Sequence, residues 1–133
     1  MIDGFENSGK HYKFEMTNEA QIDYDNIIDG MLSSPKTTQK YIDRFEAEVD
    51  AIIDILKDSP YIGRGLRDGD DNFRYRSVPG YDYAIYYEVI DDELEVLAFL
   101  FVPELAGQTT VVGLLNERLN LQKNKREDGA TNG

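Results

Sequence analysis

The chain has 133 residues, with 26 acidic against 14 basic side chains, a net charge of −12 and no cysteine. That length suits one domain large enough to bury a core unaided, and the missing cysteines exclude a disulfide framework, thiol chemistry and a thiolate metal site. The charge repels phosphate backbones, which disfavours nucleic-acid binding by bulk attraction.

The first residues, 1–10, read as a flexible leader. They lack the basic start and apolar core of a signal peptide, and no apolar run approaches the roughly 20 residues that cross a bilayer. A cytoplasmic protein with no membrane partner is expected. From His11 to Thr17, alternation puts Tyr12, Phe14 and Met16 on one face and Lys13 and Glu15 on the other, the mark of a half-buried strand.

A helix follows, with Asn18 as the expected N-cap. Its apolar stripe is Ala20, Tyr24, Ile27, Ile28, Met31 and Leu32. Ser33-Ser34-Pro35 breaks it, and a second stripe of Tyr41, Phe45, Val49, Ile52, Ile53 and Leu56 predicts another helix, closed by Ser59-Pro60. Two such helices in tandem predict an antiparallel hairpin laid on a sheet. Residues 61–71 read as a loop.

Residues 72–101 then hold three β-runs separated by Pro79-Gly80 and Asp91-Asp92. In the second run Tyr81, Tyr83, Ile85, Tyr87 and Val89 share a face, with Ala84, Tyr86 and Ile90 behind them. In the third, Leu94, Val96, Ala98 and Leu100 oppose Leu97, Phe99 and Phe101. Strands apolar on both faces are central strands covered on both sides. The second cover is expected from the C-terminal region, where Val111, Leu115 and Leu119 keep helical spacing. The division is therefore a core domain over 11–105, a helix over 106–123 and a disordered tail over 124–133.

The chemistry-bearing residues concentrate in one place. Residues 61–80 carry four arginines against three aspartates, whereas residues 81–105 carry seven acids and no base. Arg74 and Arg76 are two apart on a strand and project from one face. Paired guanidiniums suit a phosphate or carboxylate, and the bland alternative is pairing with Asp68, Asp70 and Asp71. Arg64, Arg67, Arg74 and Arg76 are thus the candidate target-binding residues. Tyr75, Tyr81, Tyr83, Tyr86 and Tyr87 are either core packing or, beside an arginine, a general acid or a base-stacking surface. His11 is the only histidine and reads as incidental, and no metal site or cofactor motif is legible.

The order β-α-α-β-β-β, together with particular residues, resembles the RelE/ParE toxin superfamily, including its plasmid-stabilisation branch. The likeness spans Tyr12 to Val102. It rests on Leu56, Pro60 and Gly63 in an L-x-x-x-P-x-x-G passage, the Tyr75-Arg76 pair, the Y-x-I-Y-Y-x-V run from Tyr83 to Val89, and V-L-A-x-L from Val96 to Leu100. The resemblance implies an α+β fold, with a helical hairpin on one face of a mostly antiparallel sheet. It also implies the toxin half of a type II toxin–antitoxin module, neutralised by a small antitoxin that wraps it. RelE-type members cleave mRNA in the ribosomal A site without metal, using basic and aromatic side chains on the sheet's concave face. ParE-type members act on DNA gyrase.

On the nuclease side the resemblance points to Arg76, Arg74 and Tyr86 as the catalytic set. The chain departs from that pattern in three ways. Ala84 follows Tyr83 where many nucleases have arginine, the last strand ends in Phe101-Val102-Pro103-Glu104 with no basic or histidine cluster, and the whole chain is acidic. The expectation is a toxin that works by binding gyrase or another target, as a homodimer or in a hetero-oligomer with its antitoxin. A ribosome-dependent mRNA endonuclease and a non-toxic interaction module of the same fold are the alternatives.

Overall fold

The computed structural model describes residues 10–66, 72–103 and 113–124. The expected leader, the tail, Arg67, Asp68, Asp70, Asp71 and Val111 lie outside them. Five strands form one sheet: β1 (Lys13–Met16), β2 (Arg64–Gly65), β3 (Phe73–Ser77), β4 (Tyr83–Ile90) and β5 (Glu95–Pro103). Their spatial order is β1-β5-β4-β3-β2. β1 runs parallel to β5, and every other pair is antiparallel. Helices α1 (Asn18–Ser33) and α2 (Gln39–Asp58) lie between β1 and β2 in the chain, and a third helix, α3, spans residues 113–124.

Both long helices begin on a threonine. Thr17 Oγ1 accepts from the Ala20 N–H at 3.1 Å and Thr38 Oγ1 from that of Tyr41 at 3.1 Å. The cap expected at Asn18 therefore sits one residue earlier, because Thr17 still has extended backbone while Asn18 is already helical. Their stripes also shift slightly. Leu32 is exposed, and Ile42 takes the buried position assigned to Tyr41, which stays near the surface.

The first core lies between the helices and one sheet face, built from Phe45, Val49, Ile52, Leu56, Ile85, Tyr87, Val89, Val96 and Phe101 among others. The second lies on the opposite face. There Phe73, Ala84, Tyr86, Phe99, Leu100 and Val102 pack with Leu119 of α3, flanked by Leu114 and Leu115. Both faces of β4 and β5 are thus buried, which is why these strands are apolar on both sides.

One expected alternation fails. Tyr86 pairs with Leu100 but Tyr87 pairs with Ala98, so β5 carries a bulge at Phe99. The extra residue resets the facing, sending Leu100 to the second face and Phe101 to the helix face. Beside the bulge, side chains take up backbone groups: Asp23 Oδ2 accepts from the Phe101 N–H at 3.2 Å, and Arg118 Nη1 donates to the Phe99 carbonyl at 2.9 Å. The loop expected over 61–71 also differs, since Arg64 and Gly65 pair with Tyr75 and Arg74 as an edge strand.

Candidate functional site

The passage from α2 into β2 is held by the strand beneath it. Residues 60–62 form one 3-10 turn, started by Pro60. The buried Tyr87 hydroxyl donates to the Pro60 carbonyl at 2.7 Å and accepts from the Gly63 N–H at 3.1 Å. Burial pushes this phenol up to about 12, against the opposing pull of the Gly63 N–H and of the Arg74 and Arg76 charges. Gly63 is required by space. A Cβ there would collide with the Tyr87 hydroxyl and stand 2.7 Å from the Tyr75 carbonyl.

Arg74 stands opposite Tyr87, and Arg76 opposite Ile85, so both start from the helix-covered face, as period-2 alternation predicts. Their roles differ. Arg74 Nη1 donates to the carbonyls of Tyr61 at 3.1 Å and Gly63 at 2.7 Å, and its guanidinium lies 5.0 Å from the Tyr61 ring centre. It fastens the turn, acting as a strut beneath the surface.

Arg76 and Arg64 instead line a cleft of about 440 Å³, together with Ile62, Gly63, Tyr75 and Ser77. Strand pairing sets Arg64 against Tyr75, so Arg64 starts from the face opposite to that of Arg76, and the two arginines border the cleft from either side of the sheet edge. Among the described residues neither arginine is ion-paired to a carboxylate, and Arg76 Nε is buried with no hydrogen-bond partner.

Tyr86 is elsewhere. It lies in the second core, 8 % exposed, stacked on Tyr75 at 5.2 Å between ring centres. The sheet separates it from the side chains of Arg74 and Arg76, so the expected catalytic set of three does not assemble. The cause is the same alternation that unites the two arginines: Tyr86 and Tyr87 are adjacent on one strand and face opposite ways. Of the other tyrosines, Tyr81 and Tyr83 pack edge-on to Phe45 at 5.1 and 5.5 Å, as core groups do. His11 meets Asp58 at 2.7 Å in a surface contact. Asp91, at the acidic turn, accepts from the Tyr12 hydroxyl and from Lys10, and the Tyr12 bond holds its carboxyl below the usual range.

Two features had no sequence signal. A groove of about 630 Å³ runs between α1 and the far ends of β4 and β5, with Met31, Tyr41, Tyr83, Val102 and Leu114 on its walls. The Asp23–Arg118 pair bounds α3, and its partners are 95 positions apart in sequence, a distance no local pattern reports.

No curated protein matches this sequence. Among solved structures, the chain resembles the chromosomal ParDE toxin–antitoxin system of P. aeruginosa (TM-score 0.55, 13 % identity, 70 % of this chain and 96 % of that one). It also resembles a mutant E. coli RelE toxin in the free state (TM-score 0.50, 13 % identity, 76 % and 92 %). These likenesses speak to the fold, and they carry the α+β RelE/ParE architecture. The family model described as the ParE toxin of the type II toxin–antitoxin system parDE matches residues 14–102. The chain therefore belongs to the ParE toxin family and is the toxin component of a type II toxin–antitoxin module.

Proposed function

We propose that this toxin arrests growth by binding a protein target, such as gyrase, and that a cognate antitoxin neutralises it by covering its surface. The observation that carries the reading is the separation of charge from acid and base. A metal-free ribonuclease needs a proton donor, a proton acceptor and cationic stabilisation around one phosphate. Here Arg74 is spent on backbone carbonyls, while Arg64 and Arg76 line a cleft that, among the described residues, has no histidine, carboxylate or lysine in its lining. Tyr86 lies across the sheet, on a face occupied by Phe73, Phe99, Leu100 and α3. The net charge of −12 adds a long-range cost to docking on RNA. An antitoxin partner is supported by the family and by the P. aeruginosa ParDE system, whose toxin has this fold.

The test is induction of the full chain in a bacterial host, alone and with the small open reading frame adjacent to its gene. Growth arrest relieved by that neighbour, with no A-site cuts in primer extension of translated mRNA, supports the reading. Cuts at A-site codons that disappear with Arg76→Ala would establish the endonuclease instead. A purified protein that inhibits gyrase supercoiling would identify the target.

A further inference from the structure

We propose that the Arg64–Arg76 cleft receives the carboxylate of a single Asp or Glu in an otherwise basic protein segment, so fixing the register of that partner. The inference rests on the binding mechanism above and names the chemistry that its surface recognises.

Three observations converge. The chain has seven arginines; of the described ones outside the cleft, Arg118 is committed to Asp23 and Arg74 to the carbonyls of Tyr61 and Gly63, while Arg44 stands exposed on α2. Arg64 and Arg76 line one cleft instead. A buried guanidinium N–H without an acceptor costs about 1–3 kcal/mol, so the unsatisfied Arg76 Nε favours an incoming oxygen. Guanidinium groups suit a carboxylate because each can offer two parallel donors to its two oxygens. The rim, moreover, has the composition of an interface anchor. Tyr61 and Ile62, in the turn beside the arginines, are 42 % and 49 % exposed, and tyrosine and arginine dominate binding hot spots.

Charge chooses between an acidic side chain and a nucleic-acid phosphate. Thirteen acids against six bases precede residue 61, and seven acids with no base fill residues 81–105. Such a field attracts a cationic partner and repels a polyanion at long range. A basic segment carrying one acid satisfies both terms: its cations are drawn to the anionic surface, and its lone carboxylate has the Arg64–Arg76 cleft to enter. Charge pairs of this kind fix register and exclude wrong partners more than they add affinity.

The probe is a capped pentapeptide, Lys-Ala-Glu-Ala-Lys amide, with a counterpart carrying Gln for Glu and a short single-stranded RNA as the third arm. Each is titrated into the full-length protein at fixed ionic strength while the arginine Nε–H resonances are followed by NMR. The expected result is a saturable shift at Arg64 and Arg76, about tenfold weaker for the Gln peptide. The shift should be lost in Arg76→Gln and reduced in Arg64→Gln, whose exposed site leaves folding intact by circular dichroism. Equal binding of the Glu and Gln peptides, no saturable shift at either arginine, or tighter binding of the RNA at the same resonances overturns the proposal. Growth arrest is not read here. A protein that binds the Glu peptide but arrests no cell keeps this cleft and loses the toxin mechanism, and the reverse result does the opposite.

Discussion

Arg118 grips Asp23 by two hydrogen bonds, Nη1 to Oδ2 at 2.8 Å and Nη2 to Oδ1 at 3.0 Å. The pair ties α3 to α1 at the β5 bulge, where the same two side chains also hold the Phe99 carbonyl and the Phe101 N–H. Both side chains are largely withdrawn from water, at 14 % and 17 % exposure. Removing one partner leaves a desolvated charge and a loose bulge. Arg118→Ala is expected to lower stability by about 2–3 kcal/mol, read as a shift in the urea midpoint. A change below a few tenths would mean the pair is a surface contact.

Shortening the chain before residue 113 removes Leu114, Leu115 and Leu119 from the second face. Phe73, Phe99, Leu100 and Val102 would then meet solvent. The truncated protein is expected to bind a hydrophobic dye and to unfold at lower denaturant, or to precipitate. A truncated chain that stays soluble, binds no dye and gains toxicity would show that α3 acts as a plug and not as part of the core.

Gly63→Ala forces a Cβ against the Tyr87 hydroxyl and the Tyr75 carbonyl, neither of which is the far end of a flexible chain. The substitution is expected to destabilise by about 2 kcal/mol or more and to displace the turn that forms one wall of the arginine cleft. Thermal unfolding measures the first effect, and loss of peptide binding at Arg76 the second.

Alkali should unfold this protein through its buried phenols. Burial raises Tyr87 and Tyr24 each to about 12 and raises Tyr12 further, with the Asp91 hydrogen bond and charge adding to the last. A raised folded-state value means that the neutral phenol is favoured by folding. The stabilisation is therefore complete below an ordinary tyrosine value of about 10 and is lost as pH climbs toward 12. Denaturation midpoints should hold steady to about pH 10 and fall above it, with tyrosinate absorbance rising in the same transition. Free titration of all nine tyrosines near 10 in the folded state would contradict the buried geometry.

Tyr86→Phe should leave growth arrest unchanged, because the ring lies under α3 beside Tyr75 and away from the cleft. Arg76→Gln should weaken arrest at equal protein levels. A Tyr86→Phe protein that folds normally but has lost its toxicity would move the working surface to the other side of the sheet.

Local chemistry carried much of this description. Alternation in β3 and β4 correctly placed Arg74 beside Arg76 and split Tyr86 from Tyr87, and helical spacing found Phe45, Val49, Ile52 and Leu56. It failed at Leu100 and Phe101, where a bulge changes facing without any mark in the residues themselves. It failed again at Asn18, since the capping preferences of Thr17 and Asn18 differ too little to choose between them. The arginines were recognisable as a group, but not their division into a strut and a cleft. That division depends on where the carbonyls of Tyr61 and Gly63 sit, more than ten residues upstream.

By itself the sequence determined the element order, the two-sided burial of the central strands, the family likeness and the concentration of arginine in an acidic chain, because period, propensity and charge are local properties. Only the tertiary structure decided that Arg74 serves the backbone, that Arg64 and Arg76 share a cleft, and that Arg118 closes on Asp23. Each of those depends on groups brought together from distant points of the chain, and pairing energy appears only when packing has fixed the distance between them.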